Sequence, residues 1–203
     1  MLFRSHTLAV KSDGTLWAWG GNFRGQLGDG TKTDRSTPVP VQGLTGVVAV
    51  AAGEYHSLAL KSDGTLWAWG FNNNGQLGEV PTTITSIRTT PVPVSGLTGV
   101  VAVAAGEFHS LALKSDGTLW AWGGNWSGQL GNGTQFPVVR STPMPVNLPG
   151  GVVAMDAGRT YSLAVKSDGT LWIWGGNSRG QLGDGTTTKR NTPGQLPGLP
   201  VKL

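Results

Sequence analysis

The sequence predicts an all-β fold, a β-propeller of about four blades of roughly 50 residues each, arranged as an open or partial propeller. Three observations predict it. First, Lys-Ser-Asp-Gly recurs at Lys11, Lys61, Lys114 and Lys166, at spacings of 50, 53 and 52. From the Gly that closes each Gly-Gln-Leu-Gly (Gly28, Gly78, Gly131, Gly183) to the Pro of the next Thr-Pro (Pro38, Pro91, Pro143, Pro193) the distances are 10, 13, 12 and 10. Subtracting the first three from the spacings leaves 40 each time, so a scaffold of constant length carries one adjustable loop per repeat. Second, 33 Gly and 12 Pro against 13% charged residues suit short strands joined by tight turns. Third, no segment shows amphipathic helical periodicity. Each unit of such an array needs its neighbours, so residues 1–203 read as a single array with repeats at 1–46, 47–99, 100–151 and 152–203, the first and last incomplete.

The second copy shows each element in order. Val47-Val48-Ala49-Val50-Ala51-Ala52 reads as a strand apolar on both faces. Asp63-Gly64 between two apolar runs predicts a hairpin with a type I′ turn. That turn pairs Leu60 with Trp67, Ala59 with Ala68 and Leu58 with Trp69. Leu58, Leu60, Trp67 and Trp69 then share a large face, and Ser57, Ala59, Ala68 and Gly70 a small one. Sheets stacked in series set large face against small. In the last copy Ile173 stands where the others have Ala, and its face is expected to meet solvent or something other than a standard neighbour. Pro91-Val92-Pro93-Val94 reads as an extended edge segment, where a missing backbone donor costs little.

Aligning Lys11 with Lys61 sets Met1 opposite Ala51, and Leu203 falls opposite Val153. The array thus starts one strand late and ends one strand early. Three arrangements accommodate this: an open arc or fragment of a larger protein, self-association through the terminal blades, and a closed four-bladed ring.

Bulk properties exclude several chemistries. The chain has no cysteine, hence no disulfide, thiolate metal site or Cys nucleophile. Its sequence pI is about 9.7, yet net charge is only +4 and there is no basic run, which argues against nucleic-acid binding. No apolar run approaches the roughly 18 to 20 residues of a membrane span, and the opening MLFRSHTLAVKSDG lacks the apolar stretch of a signal peptide. The expectation is a soluble chain without membrane insertion, cytoplasmic as it stands, or at the surface or secreted if part of a longer protein.

His-Ser-Leu-Ala-Leu-Lys-Ser-Asp-Gly-Thr-Leu-Trp-Ala-Trp-Gly, followed by Asn, Gly-Gln-Leu-Gly and Thr-Pro-x-Pro-Val, resembles the repeat of the regulator of chromosome condensation family, and does so over nearly the whole chain. The resemblance implies propeller blades of about fifty residues, in members that typically have seven; four copies leave ring closure open. The Gly- and Thr-rich style of the repeat looks more like bacterial members than animal ones.

Candidate site residues divide by column. His6, His56, His109 and Tyr161 occupy one column; ligands on successive blades spread around an axis instead of converging on one ion, so a hydrogen-bonded structural ring is expected. His-Ser copied into every repeat is likewise no hydrolase triad, and Gly-Gln-Leu-Gly, with no strand–loop–helix context, is a turn and not a phosphate cradle. Arg35, Arg88, Arg140 and Arg190 each stand three residues before the Thr-Pro proline. They either grip a carboxylate-rich partner or bond loop carbonyls and acids such as Asp29 and Asp184. Ile84, Ile87, Phe136 and Val138 are apolar residues in the variable loops, and Trp126 is an exposed-anchor candidate apart from the eight Trp of the Leu-Trp-x-Trp pairs, which are expected in the core.

The leading expectation is a non-enzymatic protein–protein interaction scaffold that binds a partner protein through the variable loops of one rim, without cofactor or metal. The resemblance implies two alternatives: guanine-nucleotide exchange by binding a small GTPase, and inhibition of an enzyme by loops across one face. A fourth reading is a structural repeat fragment of a larger, possibly cell-surface, protein.

Overall fold

The computed structural model describes residues 5–81, 86–134 and 139–198, and every regular element among them is a β-strand. The first sheet holds β1 (His6–Val10), β2 (Leu16–Gly20) and β3 (Arg35–Pro40). The second holds β4 (Val47–Ala52), β5 (His56–Lys61), β6 (Leu66–Phe71) and β7 (Ile87–Pro93). The third contains β8 (Val100–Ala105), β9 (His109–Lys114), β10 (Leu119–Gly124) and β11 (Val139–Pro145), and the fourth β12 (Val152–Ala157), β13 (Tyr161–Lys166), β14 (Leu171–Gly175) and β15 (Arg190–Leu196). Each is an antiparallel meander in sequence order. Packing runs from sheet to sheet, β1 on β4, β5 on β8 and β9 on β12, which makes an open arc of propeller blades. The inner strands β1, β4, β8 and β12 line an axial groove of about 470 Å³. The Pro-containing strands β3, β7, β11 and β15 form one edge of each sheet, as expected of segments short of backbone donors.

The hairpin register differs from the expected one by a residue. Leu58 pairs with Ala68, Ala59 with Trp67 and Leu60 with Leu66. Among the described residues no non-glycine has positive φ, so Asp63 cannot take the first position of a type I′ turn, while Gly64 lies at φ +78°. Gly64 N instead donates to Lys61 O, and Lys61 N to Thr65 O, which is a type I turn followed by a left-handed glycine in a three-residue loop. The cause is the Asp63 carboxylate, which accepts from Thr65 N at 3.0 Å and Thr65 Oγ1 at 2.6 Å. One face therefore carries Leu58, Leu60, Leu66 and Ala68, and the other Ser57, Ala59, Trp67 and Trp69. The leucine face of each blade packs on the tryptophan face of the next: Leu16, Ala18 and Leu27 meet Ala59 and Trp69, and Leu58, Leu66 and Leu77 meet Ala112 and Trp122.

Two further expectations are corrected. Val48, Val101 and Val153 are exposed, because β4, β8 and β12 each carry a bulge there that turns the second valine outward. Of the eight paired tryptophans only Trp69, Trp122 and Trp174 are fully buried. Trp17, Trp67, Trp120 and Trp172 are half-buried, and Trp17, Trp120 and Trp172 lie under Lys11, Lys114 and Lys166. Trp19, on the face of the first sheet against which no other sheet packs among the described residues, is half-buried too. Ile173 pairs with Leu163 on the leucine face of the last sheet; no further sheet covers that face among the described residues, yet Ile173 itself is buried and not solvent-facing.

Each blade joint repeats one polar device. The main-chain carbonyl of Gln26 accepts from Trp69 Nε1 and Ser57 Oγ of the next blade, both at 2.8 Å. Gln76 O serves Trp122 and Ser110 likewise, and Gln129 O serves Trp174 and Ser162. His6, His56 and His109 Nε2 lie 2.8, 3.0 and 3.0 Å from Ser57, Ser110 and Ser162 Oγ. Each serine spends its single proton on the glutamine carbonyl, so each histidine must be the donor, as the Nε2–H tautomer. The column is thus structural. Gly28 sits beneath this joint at φ +69°, and a Cβ there would stand 2.8 Å from Trp69 Nε1.

Two predictions follow from the joint. Burial pushes the His56 pKa down to about 3, with His109 and His6 adding to the effect, and that of His109 down to about 4, from an ordinary 6.5. The unfolded chain therefore binds more protons than the native one between pH 6.5 and pH 4. Stability should be full above pH 6.5 and fall by about 1.4 kcal/mol per pH unit per histidine through that window, measured by urea denaturation as a function of pH. Secondly, Gly28→Ala should destabilise by about 1–3 kcal/mol more than Gly43→Ala, because both residues have positive φ but only Gly28 lacks room for a methyl group.

Candidate functional site

The meander sends loops to two rims. The Lys-Ser-Asp-Gly hairpins lie on one; the β4–β5 and β6–β7 connections and their counterparts lie on the other, with all the variable loops. On that rim the Asn and Gly-Gln-Leu-Gly segment forms a rigid turn. Asn22 Oδ1 accepts from Leu27 N at 2.9 Å, Gln26 Oε1 accepts from Arg24 N at 2.9 Å, and Leu27 is fully buried. The same bonds recur at Asn72, Asn125 and Asn177. These glycines are turn residues, as expected.

The turn carries side chains to the surface. Phe23, 52% exposed, meets Tyr55 edge-on at 5.8 Å between ring centroids. Tyr55 meets Phe71 at 6.2 Å and stacks on Phe108 at 5.9 Å, and Phe108 meets Trp126 edge-on at 5.9 Å. Five aromatics from three repeats thus form one continuous row, closed at its far end by Trp126, which is 43% exposed. The Arg24 guanidinium lies 5.0 Å from the Phe23 ring centre and 4.6 Å from that of Phe71, bracing the start of the row. Next to Phe108, Arg159 holds Glu107 of the neighbouring blade through two bonds of 2.8 and 3.0 Å.

The sequence candidates fall on the same rim with different fates. Trp126 ends the aromatic row, and Ile87 is the cross-strand partner of Phe71 within it. Ile84, Phe136 and Val138 lie outside the described residues. Three arginines of the column are held internally: Arg35 by Asp29 at 2.8 Å, Arg88 by both oxygens of Glu79 at 2.6 and 2.9 Å, and Arg190 by Asp184 at 2.9 Å. Glu79 raises the Arg88 pKa, and hydrogen bonds from Thr186 hold Asp184 below the usual carboxylate value. Arg140 has no such acid. Sequence reasoning missed Phe23, Arg24, Tyr55, Phe71 and Phe108. The available signal was an aromatic in non-core loop positions of adjacent repeats, beside the Asn of the turn or just before the column histidine.

Chemically, the rim presents an amphipathic aromatic strip bordered by charge, suited to contact and not to proton transfer. The buried His–Ser pairs are no nucleophile and base, because the serine proton is committed to a glutamine carbonyl and the histidine donates. Among the described residues no group of three or more His, Cys, Asp or Glu is placed to hold a metal ion.

Comparison with known proteins agrees with this architecture. The chain is 34% identical over 207 residues to the ultraviolet-B receptor UVR8 of Arabidopsis thaliana, covering 97% of this chain and 45% of the receptor. It is 37% identical over 203 residues to the human probable E3 ubiquitin-protein ligase HERC6, covering 94% of this chain and 19% of the ligase. The crystal structure of Prp20p from Saccharomyces cerevisiae superposes with a TM-score of 0.83 at 29% identity, over 95% of this chain and 48% of that one. The chain therefore spans less than half the length of these relatives. They are plant, human and yeast proteins and give no support to a bacterial style of repeat. The RCC1-like domain profile matches residues 3–202. Repeat, blade architecture and profile agree: the chain belongs to the RCC1-like domain family.

Proposed function

We propose that this chain is a non-enzymatic scaffold that binds a partner protein through the rim of its variable loops, with residues 1–203 acting as a single array. One observation carries the reading: a row of five aromatics, exposed at its ends Phe23 and Trp126 and half-buried between them, assembled from three repeats on the same rim as every loop of variable length. Aromatic side chains bury large contact areas at low entropic cost, and the turn beneath them is already rigid, so little ordering is lost on binding. Trp126 and Ile87 are contact residues in this reading, with Phe23, Tyr55, Phe71 and Phe108 beside them. Ile84, Phe136 and Val138 belong to it as loop residues. Arg35, Arg88 and Arg190 support the loops through their internal acids.

Exchange on a small GTPase is the alternative kept from the family. The solved structure of Prp20p was described together with its binding properties to Gsp1p and histones, which favours a protein partner. Nucleotide release from small GTPases left unchanged by this chain removes that alternative.

The test compares three variants: Trp126→Ser with Tyr55→Ser, replacement of residues 80–85 by a Gly/Ser segment of equal length, and a control with Lys11→Ser and Lys61→Ser on the opposite rim. The replacement stops at residue 85 because β7 starts at Ile87 and Gly30 N donates to Thr89 O of the next blade. Cross-linking with mass spectrometry in a host lysate identifies partners of the unmodified chain. The two variable-rim changes should lose those partners with circular dichroism unchanged, and the control should keep them. Partners that survive both variable-rim changes and depend on the hairpin lysines overturn the reading.

A further inference from the structure

One repeat breaks the arginine rule at a single atom. In the first and last repeats the acid after Gly-Gln-Leu-Gly uses its two oxygens differently. Oδ1 of Asp29 accepts from Asn22 Nδ2 at 3.1 Å and Thr31 N at 2.9 Å, while Oδ2 takes Arg35 Nε. Asp184 divides its oxygens in the same way between Asn177 with Thr186 and Arg190. In the third repeat the residue is Asn132. Its Oδ1 does the first job, accepting from Asn125 Nδ2 at 3.3 Å and Thr134 N at 3.2 Å. Its other terminal atom is an amide nitrogen, 3.8 Å from Met144 Sδ. A donor now stands where the other repeats present an acceptor, and it cannot bind a guanidinium.

Arg140 is left with its charge uncompensated. It is half-buried, and its Nε is buried with no hydrogen-bond partner, whereas the matching nitrogens of Arg35 and Arg88 donate to carboxylates at 2.8 and 2.6 Å. A partly desolvated guanidinium without an acceptor costs free energy that an incoming carboxylate recovers through charge-assisted, bidentate bonds. Of the other described cations of this rim, Arg24 lies over two phenylalanines, Arg159 holds Glu107 and Lys189 reaches the Trp126 carbonyl at 3.3 Å, while Lys32 and Arg179 are exposed and solvated. Arg140 is the one arginine among the described residues with a buried, unpartnered side-chain nitrogen. One such guanidinium suits a monovalent carboxylate better than a nucleic-acid backbone, which needs several cations in a line.

We infer that Arg140 is the charged anchor of the binding rim and receives an Asp or Glu side chain of the partner protein. This rests on the rim reading and sharpens it: the third blade supplies the base, and the partner supplies the acid that the other three blades contain themselves.

The test is the swap Asn132→Asp, which builds the missing acid into the third blade, beside Arg140→Gln. The ¹⁵N-labelled chain is titrated with the peptide acetyl-Leu-Asp-Leu-amide, with its Asn analogue and with inorganic phosphate, while the arginine Nε–Hε signals are followed by NMR. The Asp peptide at millimolar concentration should shift the Arg140 signal saturably and leave those of Arg35, Arg88 and Arg190 in place, and the Asn peptide should shift none. Asn132→Asp should abolish the response and raise Tm by roughly 1–4 °C, because the acid is then internal. No carboxylate-dependent shift at Arg140, an unchanged shift in Asn132→Asp, or tighter binding of phosphate than of the Asp peptide overturns the assignment. Partner cross-linking separates the two readings. If Trp126→Ser with Tyr55→Ser loses the partner while Asn132→Asp keeps it, the rim stands and the Arg140 anchor falls; if both variants keep it, the rim reading itself falls.

Discussion

Everything in this arc depends on one buried carbonyl per blade joint. Gln26, Gln76 and Gln129 each turn a main-chain oxygen toward the next blade, and it takes two donors there, an indole N–H and a serine hydroxyl. Both lone pairs are used in a place from which water is excluded, so losing either donor leaves an expensive orphan. The glutamine side chain holds its own turn rigid through Oε1, so the carbonyl has no freedom to search for another partner. Apolar packing supplies the bulk attraction between sheets, but attraction by area has no direction. The joint supplies the direction, fixing the offset and the angle at which each blade meets the next.

That fixed offset creates the rim. Phe23 and Tyr55 are far apart in sequence and belong to different blades, yet their rings touch because the first turn is bolted to the second sheet. Tyr55, Phe108 and Trp126 extend the row by the same repeat of geometry. In sequence the length differences fall after the Gln carbonyl that makes the joint, so within each repeat the joint residues keep a constant spacing. A scaffold that insulates its joints from its loops can change its contact surface without renegotiating its fold.

Much of the fold was legible in the sequence, and the failures have identifiable causes. Constant spacing outside one loop, apolar runs around Asp-Gly, and Pro-rich edges were enough for sheets, blades and meander order. The hairpin register was misread because Asp63-Gly64 suggests a two-residue turn, whereas the Asp63 carboxylate captures Thr65 and holds a three-residue loop with only the glycine left-handed. A one-residue slip exchanges the partners across the hairpin, so the division into large and small faces went with it. The outward second valine of the inner strands was hidden for a similar reason, since a bulge has no signature in a run of Val and Ala. Of the rim, Trp126 and Ile87 were readable as apolar residues out of place, while the other aromatics look unremarkable until blade stacking brings them together.

The sequence by itself determined the number of repeats, the β class, the place of the variable loop and the chemical identities available at each joint. These are properties of local pattern and spacing, and a repeat states them several times over. Tertiary structure alone decided which tryptophans are buried, which histidine nitrogen carries the proton, which aromatics form a row, and which arginine lacks an acid. The reason is physical: each of those outcomes depends on distances between atoms of different strands or blades. Turn geometry and the carbonyl joint set those distances, and no linear spacing of residues contains them.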